Sequence, residues 1–141
     1  MNTIHIGGLA PWQKRRVTTL IELNLDRPLR VADLAKTCGL SVSHFARSFS
    51  ITFGISAHRW LVRRRIEFSQ QLLIRTGEPL ARIAYRAGFP DQAAFTRTFH
   101  RIAGTSPGRW RRYQRFGRSG EFEAPTDKSG AISQDASSGD F

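Results

Sequence analysis

Residues 45–60 read FARSFSITFGISAHRW, and residues 95–110 read FTRTFHRIAGTSPGRW. Laid over one another at an offset of 50, they share Phe45/Phe95, Arg47/Arg97, Phe49/Phe99, Gly54/Gly104, Ser56/Ser106, Arg59/Arg109 and Trp60/Trp110. Upstream the offset becomes 49, matching Ala32 with Ala81, Ala35 with Ala84 and Gly39 with Gly88. The second copy carries one extra residue in the turn after its glycine, Phe89-Pro90-Asp91 against Leu40-Ser41. A solenoid needs about three copies to bury a continuous core. Two related units, joined once, is the reading.

Each unit reads as a helix, a glycine turn and a second helix. In the first, Val31, Leu34 and Ala35 follow i, i+3, i+4 spacing up to Gly39, a helix stop. Ser41 or Ser43 can cap the next helix, where Phe45 and Phe49 share one face. In the second, Leu80, Ile83, Ala84 and Ala87 form the stripe, Gly88 the stop and Asp91 the cap of a helix burying Phe95 and Phe99. A short glycine-bearing turn between two such helices is a helix-turn-helix signature. Between the units, residues 57–75 predict one long helix of about 28 Å at 1.5 Å per residue, with Arg63, Arg64 and Arg65 mostly outward. Val17, Leu20, Ile21 and Leu25 mark a helix before the first unit, and Ser106-Pro107 opens a last basic helix to Phe116. The expected fold is all-α, with about seven helices forming two helix-turn-helix subdomains joined by a long linker helix. Its domain would span 13–116, with a first unit over 13–56, the linker over 57–75 and a second unit over 78–116. A flexible start (1–12) and a disordered acidic tail (117–141) would flank it.

Charge narrows the partner. The 141 residues carry 22 Lys and Arg against 11 Asp and Glu, a net charge of +11, and 19 of the 22 are Arg. Residues 117–141 hold two basic and five acidic groups, so residues 1–116 carry 20 against six, or +14. Arginine forks suit bidentate contact with phosphate and guanine. The lone Cys38 rules out an internal disulfide or a multi-cysteine zinc site, and reads as a small buried hydrophobe. The four histidines lack metal-ligand spacing, and no paired carboxylates, Cys/His pair or glycine loop offers catalysis or a cofactor site. No stretch approaches the roughly 18 apolar residues of a membrane helix, and no leader pattern opens the chain. A cytoplasmic, non-enzymatic protein without cofactor, catalytic residues or metal is expected.

On each second helix the face opposite the phenylalanines is polar and basic. It carries Ser43, Ala46, Arg47 and Ser50 in one unit, and Gln92, Ala93, Thr96, Arg97 and His100 in the other. Arg reads guanine, Gln reads adenine, and Ala or Thr methyls meet the thymine methyl in the major groove. Two such helices on a spacer of about 28 Å compare with the roughly 34 Å between successive major grooves on one face of a duplex. Arg47 and Arg97 admit a buried structural role beside the DNA role, and Arg63–Arg65 a solvated face beside phosphate contact. His44 and His100 lie near enough to the grooves for phosphate.

Several stretches carry a family resemblance. Val31-Ala32-Asp33-Leu34-Ala35, Phe45-Ala46-Arg47-Ser48-Phe49 with Gly54, Ile83-Ala84-Tyr85-Arg86-Ala87-Gly88-Phe89-Pro90-Asp91, Phe95-Thr96-Arg97-Thr98-Phe99 and Gly104-Thr105-Ser106-Pro107 resemble the DNA-binding domain of the AraC/XylS transcription regulators. The resemblance covers about Val17–Phe116. It implies seven helices, of which the third and sixth read duplex DNA. Base contacts would come from Ser43, Ala46 and Arg47, and from Gln92, Ala93, Thr96 and Arg97. Phosphate contacts would come from Arg59, Arg109 and Arg111, beside His44, Arg63 and His100. Ala46 is small where a reading side chain is common, and Arg30 stands where a Ser or Thr cap is frequent, so specificity would lean on the second unit. The chain is similar to short stand-alone activators that bind as monomers and lack a small-molecule effector domain. That implies a bacterial regulator at the nucleoid, with RNA polymerase as partner. The alternatives are a truncated regulator fragment or a non-specific cationic, architectural nucleic-acid binder.

Overall fold

The computed structural model describes residues 7–117, which form seven helices and no strand. They are α1 (Pro11–Leu23), α2 (Val31–Thr37), α3 (Val42–Phe53), α4 (Ala57–Arg75), α5 (Leu80–Arg86), α6 (Gln92–Ala103) and α7 (Pro107–Phe116). The chain divides into two units, with the boundary between Arg64 and Arg65 inside α4. The acidic tail expected over 117–141 lies outside the described residues beyond Gly117.

Local chemistry sets each helix end, and it is the same chemistry twice. Gly39 and Gly88 take φ of +71° and +88°, a left-handed conformation that costs a residue with a Cβ about 1–2 kcal/mol. That bend lets the Leu40 N–H donate to the Ala35 carbonyl and the Phe89 N–H to the Ala84 carbonyl, both at 3.0 Å, which closes α2 and α5. The next helix is capped from a side chain: Ser41 Oγ accepts the His44 N–H at 3.1 Å, and Asp91 Oδ1 accepts the Ala94 N–H at 2.8 Å. Ser41, rather than Ser43, is therefore the cap of α3. Glycines 54 and 104 end α3 and α6 in the same left-handed geometry. Ser56 and Ser106 then cap the helices that follow. Arg30, a poor cap, is served in reverse, because its N–H donates to the Asp33 carboxylate at 2.9 Å.

The first unit buries Val17 and Ile21 of α1, Leu34 and Ala35 of α2, and Phe45 and Phe49 of α3. The second gathers Ile66, Leu72, Leu73, Ile83, Ala84, Phe95 and Phe99. The aromatic geometry repeats as the sequence does. Phe45–Phe49 and Phe95–Phe99 centroids are both 5.7 Å apart, while Trp60 and Trp110 meet Phe49 and Phe99 edge-on at 6.1 and 5.8 Å. Such edge contacts add about 0.5–1.5 kcal/mol to the burial itself.

Three expectations change. The lead-in, expected to be flexible through residue 12, is packed from Leu9 onward: Leu9 is buried and its N–H donates to Thr52 Oγ1 at 2.8 Å. Gln13 continues this tether, accepting the Ala10 N–H and donating to the Cys38 carbonyl. The first helix ends at Leu23, before Leu25, because Asn24 Nδ2 donates back to the Leu20 carbonyl; Leu25 is buried beyond the helix. Arg63, Arg64 and Arg65, expected mostly outward, are half-buried, and Arg64 forks onto the Glu22 carboxylate at 2.6 and 2.8 Å.

Phe99→Ala is expected to cost about 3–5 kcal/mol of stability, measured by the shift of the urea unfolding midpoint. Burial pushes the Cys38 thiol pKa up against the opposing charge of Arg16, which withholds the reactive thiolate. Iodoacetamide should therefore label Cys38 slowly at neutral pH and rapidly once the chain is unfolded. Labelling at the rate of a free thiol in the folded protein would show that the site opens.

Candidate nucleic-acid interface

The buried phenylalanines leave one arc of α3 and one of α6 in solvent. On α3, Ser43, Ala46 and Arg47 are all exposed, with Val42, His44 and Ser50 beside them. On α6, Gln92, Ala93 and Arg97 are exposed and Thr96 is half-buried. With one offset of 50 and identical cap positions, Arg47 and Arg97 occupy equivalent places one turn after Ser43 and Ala93. Neither guanidinium has a hydrogen-bond or ion-pair partner among the described residues. Both arms therefore stand uncommitted on otherwise small side chains, a surface that allows close approach to base edges.

The expected phosphate set is less uniform. His44 is exposed in the first turn of α3, and His100 is half-buried in the last turn of α6. Arg59 and Arg63 are half-buried one turn apart on α4, whereas Arg109 is exposed in the first turn of α7. Arg111 is engaged elsewhere. Its Nε donates to the Leu73 carbonyl at 3.1 Å, one terminal nitrogen to Glu78 O at 2.9 Å and the other to Thr76 O at 3.0 Å. Arg115 joins it on Thr76 O at 2.8 Å. Burial first, then the neighbouring Arg115, depress the Arg111 pKa, with Glu78 opposing. Arg111 thus staples α7 to the chain leaving α4, where the last carbonyls of a helix lack partners of their own.

Sequence reasoning also missed the Glu78 cluster, in which one carboxylate serves Arg82 at 3.7 Å and Arg86 at 2.5 Å. The i, i+4 spacing of Glu78 and Arg82 was its visible signal. It missed Val42 too, which is 50% exposed at the first position of α3; the 50-residue offset, pairing it with Gln92, was the signal there. Among the described residues no group of three His, Cys, Asp or Glu could hold a metal ion. None of the described helices is long and apolar enough to cross a membrane.

A family model described as a helix-turn-helix domain matches residues 34–113. The virulence regulon transcriptional activator VirF of Yersinia enterocolitica is 30% identical over 107 residues, covering 76% of this chain and 38% of VirF. A Streptomyces lividans protein described as an AraC-like transcription regulator is 32% identical over 108 residues, covering 77% of this chain and 36% of its own length. The chain thus spans less than two fifths of these curated relatives. Among solved structures, the DNA-binding domain of the global transcriptional factor AdpA, crystallised with a target DNA, superposes with a TM-score of 0.70 at 27% identity. The match covers 78% of this chain and 97% of that one. With a helix-turn-helix model matched over more than half its length and an AraC-like transcription regulator 32% identical over 77% of it, the chain belongs to the AraC-type family of helix-turn-helix transcription regulators.

Proposed function

We propose that the protein binds duplex DNA sequence-specifically, with α3 and α6 as recognition helices entering successive major grooves, and that it activates transcription. The observation that carries this reading is the pair of uncommitted arginines, Arg47 and Arg97, at equivalent places on two solvent-facing helix arcs. In the first head, Ser43, Ala46 and Arg47 meet bases. In the second, Gln92, Ala93, Thr96 and Arg97 do, with Arg97 on guanine and Gln92 on adenine. The second head carries more hydrogen-bonding groups and supplies most of the discrimination. His44, Arg59, Arg63, His100 and Arg109 hold phosphates. Arg111 is left out, since its guanidinium is engaged with carbonyls of its own chain.

The likeness to VirF, named an activator, supports activation, with RNA polymerase as the partner and the bacterial nucleoid as the place. Binding as a monomer agrees with two reading helices in one chain. A non-specific cationic binder would share the positive charge, and it differs in what it selects.

Duplexes recovered from a random pool by the purified protein should converge on one motif, bound at least about 10³-fold tighter than random DNA. Uniform affinity would replace the regulator reading with the architectural one. On the selected site Arg97→Ala is expected to cost about 1–3 kcal/mol, measured by competition binding, with little loss on random DNA. Arg109→Ala should weaken both, and reduce the salt dependence by about one phosphate contact. Equal losses for Arg97→Ala on both DNAs would move Arg97 to the phosphate set.

A further inference from the structure

Val42 stands outside every role assigned so far. It is a β-branched apolar residue, 50% exposed, at the first position of α3 on a strongly basic protein. Helical spacing sets it on the flank of Phe45 and Phe49, three and seven residues on, but the core does not claim it: it stands in the first turn, and half of it is in solvent. Nor does it serve the cap, which is made by Ser41 Oγ on the His44 N–H.

Its place on the helix is informative. α3 and α6 each have 12 residues, are capped by the residue before and end in a left-handed glycine. They bury phenylalanines at the same two positions of the 50-residue register. Residue n of α3 therefore occupies the position of residue n+50 of α6 within its own unit. By that register Val42 stands where α6 carries Gln92, Ser43 where it carries Ala93, and Ala46 where it carries Thr96. Val42 and Ala46 are one helical turn apart and both exposed, so they make an apolar strip beside Ser43 and Arg47.

Resting on the assignment of α3 to the major groove, we infer that Val42 is a specificity-determining residue that reads a pyrimidine C5 methyl group. Base edges in the major groove offer hydrogen-bond donors, acceptors and one apolar group, the methyl of thymine. Valine has no donor or acceptor, so the methyl is the feature it can select. Approach to that methyl removes apolar surface of both partners from water. The two heads then differ in kind at equivalent positions. The second reads by the amide of Gln92, and the first by the shape of a methyl group next to the guanidinium of Arg47.

The test uses deoxyuridine, which keeps the base pairing of thymine and lacks only its methyl. In the site selected from the random pool, each thymine is replaced in turn, and the affinity of the full chain is measured for wild type, Val42→Ser and Val42→Thr. At one thymine, the replacement should weaken wild type by about fourfold, the worth of one buried methyl. Val42→Ser should bind the thymine site as weakly as wild type binds the uracil site, and should not respond to that replacement. Val42→Thr, which keeps a methyl and the branching, should recover part of the response. Unchanged thermal melts of the variants confirm that folding is not the cause. If Val42→Ser keeps the full response at every thymine, or wild type has none, the inference is overturned. In that case a loss for Arg97→Ala on the selected site, with little loss on random DNA, shows that the DNA reading itself stands. If no site is selected at all, both fall.

Discussion

Phe45 and Phe49 lie one turn apart on α3 with centroids 5.7 Å apart, and Phe95 and Phe99 repeat that separation on α6. All four rings are fully buried, and each is worth about 1.5–3 kcal/mol of burial. Their consequence is rotational. A helix anchored by two large rings on one side cannot turn about its axis without exposing them, so its opposite arc is fixed in solvent. Trp60 and Trp110, arriving from α4 and α7, close the edge of each ring pair. Which side chains face outward on α3 and α6 follows from where the phenylalanines are.

The helices and turns were legible because their determinants are local. Glycine at the left-handed position, an oxygen-bearing cap two or three residues later, and phenylalanines four apart are all read within a dozen residues. What escaped depends on partners far along the chain. Arg111 and the carbonyls it engages are separated by 33 to 38 residues, and Arg64 and Glu22 by 42. In a chain with 19 arginines no pattern marks which ones turn inward. The packed lead-in escaped for the same reason, since it hangs on the hydroxyl of Thr52, 43 residues on. In the candidate interface, the exposed faces of α3 and α6 could be read from helical spacing. Val42 could not, because an apolar residue at the edge of a polar face reads as the rim of the core until its exposure is known.

Arginine does two jobs in this protein, and geometry separates them. Acidic groups are scarce, and one carboxylate and one carbonyl just past a helix end each hold two cations. Glu78 takes Arg82 and Arg86, and Thr76 O takes Arg111 and Arg115. These arginines tie chain segments together. The guanidinium groups of Arg47, Arg97 and Arg109, exposed and without a hydrogen-bond or ion-pair partner among the described residues, keep charges that no carboxylate there neutralises. Unshielded charges of this kind act over about 8 Å at physiological salt, enough to orient an approaching polyanion before contact.

The helix caps and the buried rings use one set of positions, and the outward arcs of α3 and α6 use another. Ser43, Ala46 and Arg47, like Gln92, Ala93 and Arg97, bury no surface in the core and cap no helix. Substitutions there are expected to leave stability nearly untouched, so the frame beneath them places little constraint on which side chains those sites carry. A gene duplication that kept the frame would thus produce two interchangeable sockets, each free to acquire its own preference. The chain is, in that sense, already laid out for re-targeting: faces can be exchanged between residues 42–51 and 92–101 without redesigning what folds.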